Sequence, residues 1–187
     1  MKLKIIKFKS VKSTNDKAIK LIQTGKITPG LITAEIQTKG RGTMGKKWIS
    51  RKGNIFISFF FKANFKKIKI ENFLIINAKI IKKILKNYTK KKIIIKKPND
   101  LLIENKKICG ILQEVVEFKK DKFLITGFGI NTLTSPLNKE HISTCLQEHA
   151  KIIIKNLSII EKIKNTYEKI INEFENNKFT SIKKKYI

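Results

Sequence analysis

Residues 54–62, NIFISFFFK, constrain the fold more than any other stretch. Ile55, Phe56, Ile57, Phe59, Phe60 and Phe61 are broken only by Ser58. A strand with one wet face alternates apolar and polar residues. A run this continuous predicts a strand covered on both faces. The flanking segments supply its neighbours. Residues 2–11 alternate lysines with Leu3, Ile5 and, after a slip, Ile6 and Phe8, which predicts an edge strand. A short helix follows, capped by Ser13 or Thr14, with Asp16 in its first turn, a stripe of Ala18, Leu21 and Ile22, and Gly25 as its stop. Residues 30–37 read as a strand running into a glycine loop. Residues 71–88 carry the clearest helical period, with a ridge of Phe73, Ile76, Ile80 and Ile84 beside Leu74, Ala78, Ile81 and Leu85.

Residues 91–98 form a strand stopped by Pro98, and residues 100–118 a hairpin turning near 104–106. Residues 122–132 are a further strand ending in glycines. An irregular stretch with Pro136 and a short helical piece within 143–149 leads to a last helix. That helix is expected to begin at Ser158, with Ser158 and Glu161 as a capping box, and to turn Ile159, Ile160, Ile163, Tyr167, Ile170, Ile171 and Phe174 inward. The order β-α-β-β-α-β-β-β-β-α predicts an α+β domain: a mixed, mostly antiparallel sheet with helices to one side.

A chain of 187 residues is long enough for one domain with a real core. Its formal charge of +28 invites a polyanion as partner. Yet Lys, Ile and Asn, the residues of A- and T-rich codons, are spread throughout, so base composition accounts for the excess equally well. Against that background only Arg41 and Arg51 are arginines among 42 basic residues. Arg41 lies inside GRG, where a planar fork can do what a lysine cannot. Cys109 and Cys145 lack metal or redox spacing, which points to a reducing compartment. His141 and His149 lack metal-site spacing. No signal peptide or membrane-length run is present, so a cytoplasmic location is expected.

Four constellations could carry chemistry. Gly40, Arg41, Gly42 and Gly45, with Lys46 and Lys47, could converge backbone N–H groups on an anion. The spacing is neither a Walker A loop nor a dinucleotide fingerprint, and alone it reads slightly better as an ordinary hairpin loop. Asn99 and Asp100 after Pro98 can cap a turn, or hold a nucleotide or metal from a strand end. Lys107 lies three residues before Gly110 in a strand, a position where glycine often marks close approach. Gly127, Gly129 and Asn131 in GFGIN fit either a bulge or a ligand contact. Ser13, Thr14, Asn15 and Asp16 cap a helix, and the hydroxyls of Ser13 and Thr14 equally suit a polar ligand head.

In combination and order, these pieces resemble the biotin protein ligases. The carriers are STN, a glutamine, GRG, then G..W.S..GN, PNDLL, KKICGIL.E and GFGIN, from about Lys9 to Asn131. The resemblance implies the mixed sheet of the biotin–lipoate ligase catalytic domain, related to class II synthetases. It implies adenylation of biotin by ATP with Mg²⁺, the ion entering with the substrate phosphates rather than on a dedicated protein site. It also implies transfer to one lysine of a biotin carboxyl carrier domain, expected to be acidic. Arg41 and Lys107 are the implied catalytic cations. Ser13, Thr14, Asn15, Gln37, Gly40, Arg41, Gly42, Trp48, Lys107, Gly110, Gly127 and Gly129 are the implied biotin site. The three later glycines leave room for the apolar body of biotin, with Trp48 over the closed loop. Arg41, Thr43, Lys46, Trp48, Asn99, Asp100 and Asn131 are implied on the nucleotide side.

Three departures from the family pattern stand out. Thr43 and Lys46 replace arginines common in relatives, which implies a loop that retains the adenylate less firmly. Lys97 replaces the usual tryptophan before PND, and no adenine-stacking aromatic is evident after Asn131. The chain is expected to be a single catalytic domain over residues 1–187, without an N-terminal winged helix and with a C-terminal β-barrel absent or truncated. A homodimer is consistent with the family. The rivals are a lipoate or octanoate ligase on the same fold and a nucleic-acid-binding protein. The second requires exposed aromatics, whereas Phe56, Phe59 and Phe60 read as buried.

Overall fold

The computed structural model describes residues 2–25, 29–63, 65, 69–136, 142–176 and 178–186, and His141 lies outside this set. The elements are β1 (Lys4–Val11), α1 (Thr14–Gln23), β2 (Gly30–Gln37), β3 (Ile55–Lys62), α2 (Ile70–Leu85), β4 (Ile93–Lys96), β5 (Asp100–Ile103), β6 (Lys106–Phe118), β7 (Asp121–Ile130), α3 (Asn156–Glu175) and α4 (Phe179–Tyr186). The strands form one sheet in the order β1-β2-β3-β7-β6-β5-β4. Only β1 and β2 pair in parallel, and α1 connects them. Every other neighbour is antiparallel.

The strand 55–62 lies in the interior of the sheet, and Phe56, Phe59 and Phe60 are fully buried. Its alternate residues enter two separate cores. Ile57, Phe59 and Phe61 join the larger core with α2 and α3, where Phe59 stacks on Tyr167 at 4.2 Å. Phe60 joins Ile32, Phe123 and Ile125 beneath Ala18 and Ile22 of α1. Helices therefore cover both faces, which corrects the expectation of helices to one side. The reason is already in the strand: apolar side chains on both faces leave neither face free for water.

Three further differences concern the C-terminal part. The last long helix starts at Asn156, two residues before the expected cap, and Lys155 precedes it without a side-chain cap. The Ser158 hydroxyl is 3.2 Å from the Tyr88 hydroxyl, so tertiary contact takes the group that the capping box needed. A second helix, α4, follows and buries Ile182 against the larger core. The helical piece expected within 143–149 is a single 3-10 turn, Gln147–His149. Among the described residues no helix is long and apolar enough to cross a membrane.

Candidate functional site

The α1 face of the sheet is apolar for only half its length. Toward the other end β3, β6 and β7 present Ser58, Gly127, Gly110 and Gly129, with Ser58 opposite Gly127 and Gly110 opposite Gly129. Side chains vanish there, and a hollow of about 900 Å³, its open mouth included, is left above the sheet. The N-terminus of α1 borders it on one side and the glycine loop covers it.

A cluster of amides and hydroxyls floors the Gly127 end. Ser13 caps α1 by accepting from the Asp16 N–H, which orients the next two residues inward. The Gln37 Oε1 accepts from both the Thr14 N–H at 2.8 Å and the Thr14 hydroxyl at 3.0 Å. The Ser58 hydroxyl touches Thr14 Oγ1 and Asn15 Oδ1. Asn15 in turn donates to Leu112 O at 3.3 Å and to Glu114 Oε2 at 2.7 Å. A Cβ on Gly127 would lie 2.3 Å from Asn15 Oδ1. The space expected for a ligand there holds the asparagine.

The loop is a small hairpin. Arg41 bridges Lys47, Trp48 N–H donates to Gly40 O, and Thr43–Gly45 makes the turn. It lays the Trp48 indole on Gly110 and Gly129, where an added Cβ would come within 2.6 and 2.3 Å of the ring. These two glycines thus seat Trp48, and with Gly127 they also line the hollow. Gly42, Thr43 and Lys46 line the mouth, while Gly40 sits behind the hairpin against Gln37 and Ser50. Arg41 also departs from expectation. Its fork is engaged by Glu114 through two bonds of 2.9 and 2.8 Å and by Asp16 at 2.7 Å. The bond to Glu114, foremost, raises the Arg41 pKa above its ordinary value despite some burial.

Lys107 reaches the pocket through an irregularity in β6. Leu101 pairs with Cys109 but Leu102 pairs with Lys107, so Ile108 is an extra residue. In a regular strand residues three apart point to opposite faces. The bulge resets the alternation and puts Lys107 on the Gly110 side, its Cε 3.2 Å from a Cβ added there. Ile108 and Cys109 both remain in the core. The Lys107 ammonium meets Asp100 Oδ1 at 2.7 Å and lies 5.3 Å from the Trp48 ring centre. Asp100 does not line the hollow; it acts on it through Lys107. Asn99 lines it and donates to Ile111 O, with Thr43 Oγ1 at 3.5 Å. Asn131 is 1% exposed, and its Nδ2 bonds Lys107 O and Thr144 O. Residues 142–144 run beside Lys107 through backbone bonds to Ile142 and Thr144.

Glu114, Ser58 and Asn54 were absent from the residues singled out in the sequence as site candidates, and Asp16 was named there only with the helix cap. Asn54 Oδ1 accepts from three consecutive N–H groups, of Thr132, Leu133 and Thr134, and fixes the chain just after Asn131. Ser58 carried a signal, as the one polar residue inside the apolar strand. Glu114 and Asn54 did too, at the ends of the GIL.E and GN patterns. Among the described residues no cluster of His, Cys, Asp or Glu could hold a metal ion by itself. Both cysteines are free and buried, and burial pushes their thiols up from the ordinary value.

Residues 7–131, two thirds of the chain, match the model of the biotin/lipoate A/B protein ligase family. The chain belongs to that family. Among curated proteins, this ligase-family chain is 30% identical over 159 residues to the bifunctional ligase/repressor BirA of Bacillus subtilis, covering 82% of the chain and 49% of that protein. It thus spans about half the length of that relative. Among solved structures it is 27% identical, with a TM-score of 0.76, to the biotin protein ligase of Aquifex aeolicus in complex with biotin and ATP, covering 92% of the chain and 72% of that one. A bipartite lipoate protein ligase from Thermoplasma acidophilum shares the fold at 10% identity and a TM-score of 0.61, covering 90% and 84% of the two chains.

Proposed function

We propose that this family member is a biotin protein ligase: it activates biotin with ATP as biotinyl-5′-AMP and transfers the biotinyl group to a lysine of an acidic biotin carboxyl carrier domain in the cytoplasm. The observation that carries the reading is the polarity of the hollow. One end is a dense set of amides and hydroxyls, from Thr14, Asn15, Gln37 and Ser58. The other end holds the ammonium of Lys107. A cyclic urea offers donors and acceptors to the first end, and its carboxylate tail reaches the second. A dithiolane ring would offer these amides and hydroxyls no hydrogen-bond partner, so it would gain nothing from them.

In this reading Ser13, Thr14, Asn15 and Gln37 hold the ligand head. Trp48 lies over the apolar body. Asn99, Asn131, Thr43 and Lys46 face the nucleotide. Lys107, positioned by Asp100, brings carboxylate and α-phosphate together and stabilises the charge that builds between them. Mg²⁺ would enter with the phosphates, as suits an ion held by few protein ligands. The decisive experiment is substrate-dependent exchange of pyrophosphate into ATP. Biotin should drive it and lipoate should not. Lys107→Ala should slow it roughly 10²- to 10³-fold, the usual effect of removing a transition-state charge donor. Exchange driven by lipoate would make the chain a lipoate ligase. Equal exchange by wild type and Lys107→Ala would remove Lys107 from the chemistry.

A further inference from the structure

We infer that Glu114, assisted by Asp16, is the positioning residue that seats the glycine hairpin over the pocket and couples it to the pocket floor. Arg41 is the hairpin residue that reaches out of the loop. Its two terminal nitrogens meet the two oxygens of Glu114, a fork-on-fork contact, while Asp16 takes a further contact from the end of α1. The side chains of Arg41 and Glu114 are 38% and 24% exposed, so the pair is less screened than an ordinary surface bridge.

The other polar tethers of the hairpin are weaker. Thr43 to Asn99 is 3.5 Å long, and Gln37 to Ser50 joins neutral groups just beyond the loop. A chain that otherwise uses lysine keeps an arginine here, where only a planar guanidinium can bind both oxygens at once. The same carboxylate accepts from Asn15 at 2.7 Å, and Asn15 fills the space above Gly127. One side chain therefore fixes both the lid and the floor. Anything that reorients Asn15 is felt at Arg41, and the reverse. This inference is independent of which ligand the pocket takes.

Trp48 makes a test possible without substrate. It is the single tryptophan of the chain and rests on Gly110 and Gly129 only while the hairpin is seated. Acrylamide quenching of its fluorescence therefore reports seating. Glu114→Gln should shift the seated–unseated ratio roughly tenfold, the order expected for one charge-assisted pair, and raise quenching clearly. Arg41→Gln, which also loses the Asp16 contact, should raise it at least as much, and the double variant no further than Arg41→Gln, because both remove the Arg41–Glu114 bond. Asp16→Asn should give a smaller rise. Glu117→Gln, on the same strand but paired with Lys122, should give none. Quenching of a folded Glu114→Gln protein equal to wild type would overturn the inference, as would full additivity in the double variant. If Glu114→Gln does not fold, Arg41→Gln decides, since it breaks the same bond from the hairpin side; unchanged quenching there overturns the inference too.

Discussion

At the scale of single residues, the site depends on side chains that are missing as much as on those present. Gly110 and Gly129 leave a floor flat enough for an indole. Gly129→Ala puts a methyl where the Trp48 ring lies, and overpacking of this kind cannot be relieved while the ring stays seated. The expected result is a rise in Trp48 quenching and a loss of ligand affinity, with the thermal midpoint lowered by only a few degrees because the indole sits on a loop. Quenching equal to wild type would show that the ring does not pack there. Lys107 illustrates the same dependence from the other side. Its type and position are plain in the sequence, but its direction is set by the extra residue Ile108.

At the scale of elements, the segment 142–149 holds Lys107 and Asn131 by their backbones. Its own shape rests on Glu148, which accepts from Thr144 at 2.7 Å, from Cys145 at 3.2 Å and from Ser135 at 3.3 Å. The Thr144 hydroxyl, foremost, holds the Glu148 carboxyl below the usual carboxylate range. A depressed folded pKa fixes the sign. The stabilisation is present above the unfolded value, about 4.3 for a glutamate, and is lost as pH falls through the folded value. Thermal unfolding of wild type and Glu148→Gln should therefore differ at neutral pH and converge in acid, once pH falls through the lowered Glu148 value. A difference that persists unchanged in acid would assign the effect to shape rather than charge. Elements also show where local signals lose to tertiary ones. The Ser-x-x-Glu pattern at 158–161 is a valid start signal, yet Tyr88 claims the serine and the helix begins earlier.

At the scale of the molecule, the +28 charge acts as a field rather than as a site. Phe56, Phe59 and Phe60 are buried and give no stacking platform for bases. With the acidic carrier proposed above, such a field should speed encounter. Carrier biotinylation, as kcat/KM, should fall roughly tenfold between about 0.05 and 0.5 M salt, while pyrophosphate exchange changes little. A flat salt profile with an acidic carrier would show that the field has no part in docking. The edge strand β1 carries Lys4, Lys7 and Lys9, a charge pattern that also discourages pairing with a second sheet edge.

The sequence by itself determined the element order as far as α3, the strand covered on both faces, a cap at Ser13 or Thr14, and most of the residues that gather around the hollow. These follow from local periodicity and from motifs that are contiguous in the chain. Tertiary structure alone decided which helices cover each face, that Asn15 and Trp48 occupy the space above the glycines, and that Arg41 is held by Glu114, 73 positions away. It also decided which way Lys107 points. A strand's alternation can be read from sequence only until a bulge resets it, and the bulge at Ile108 is set by how β5 and β6 must pair.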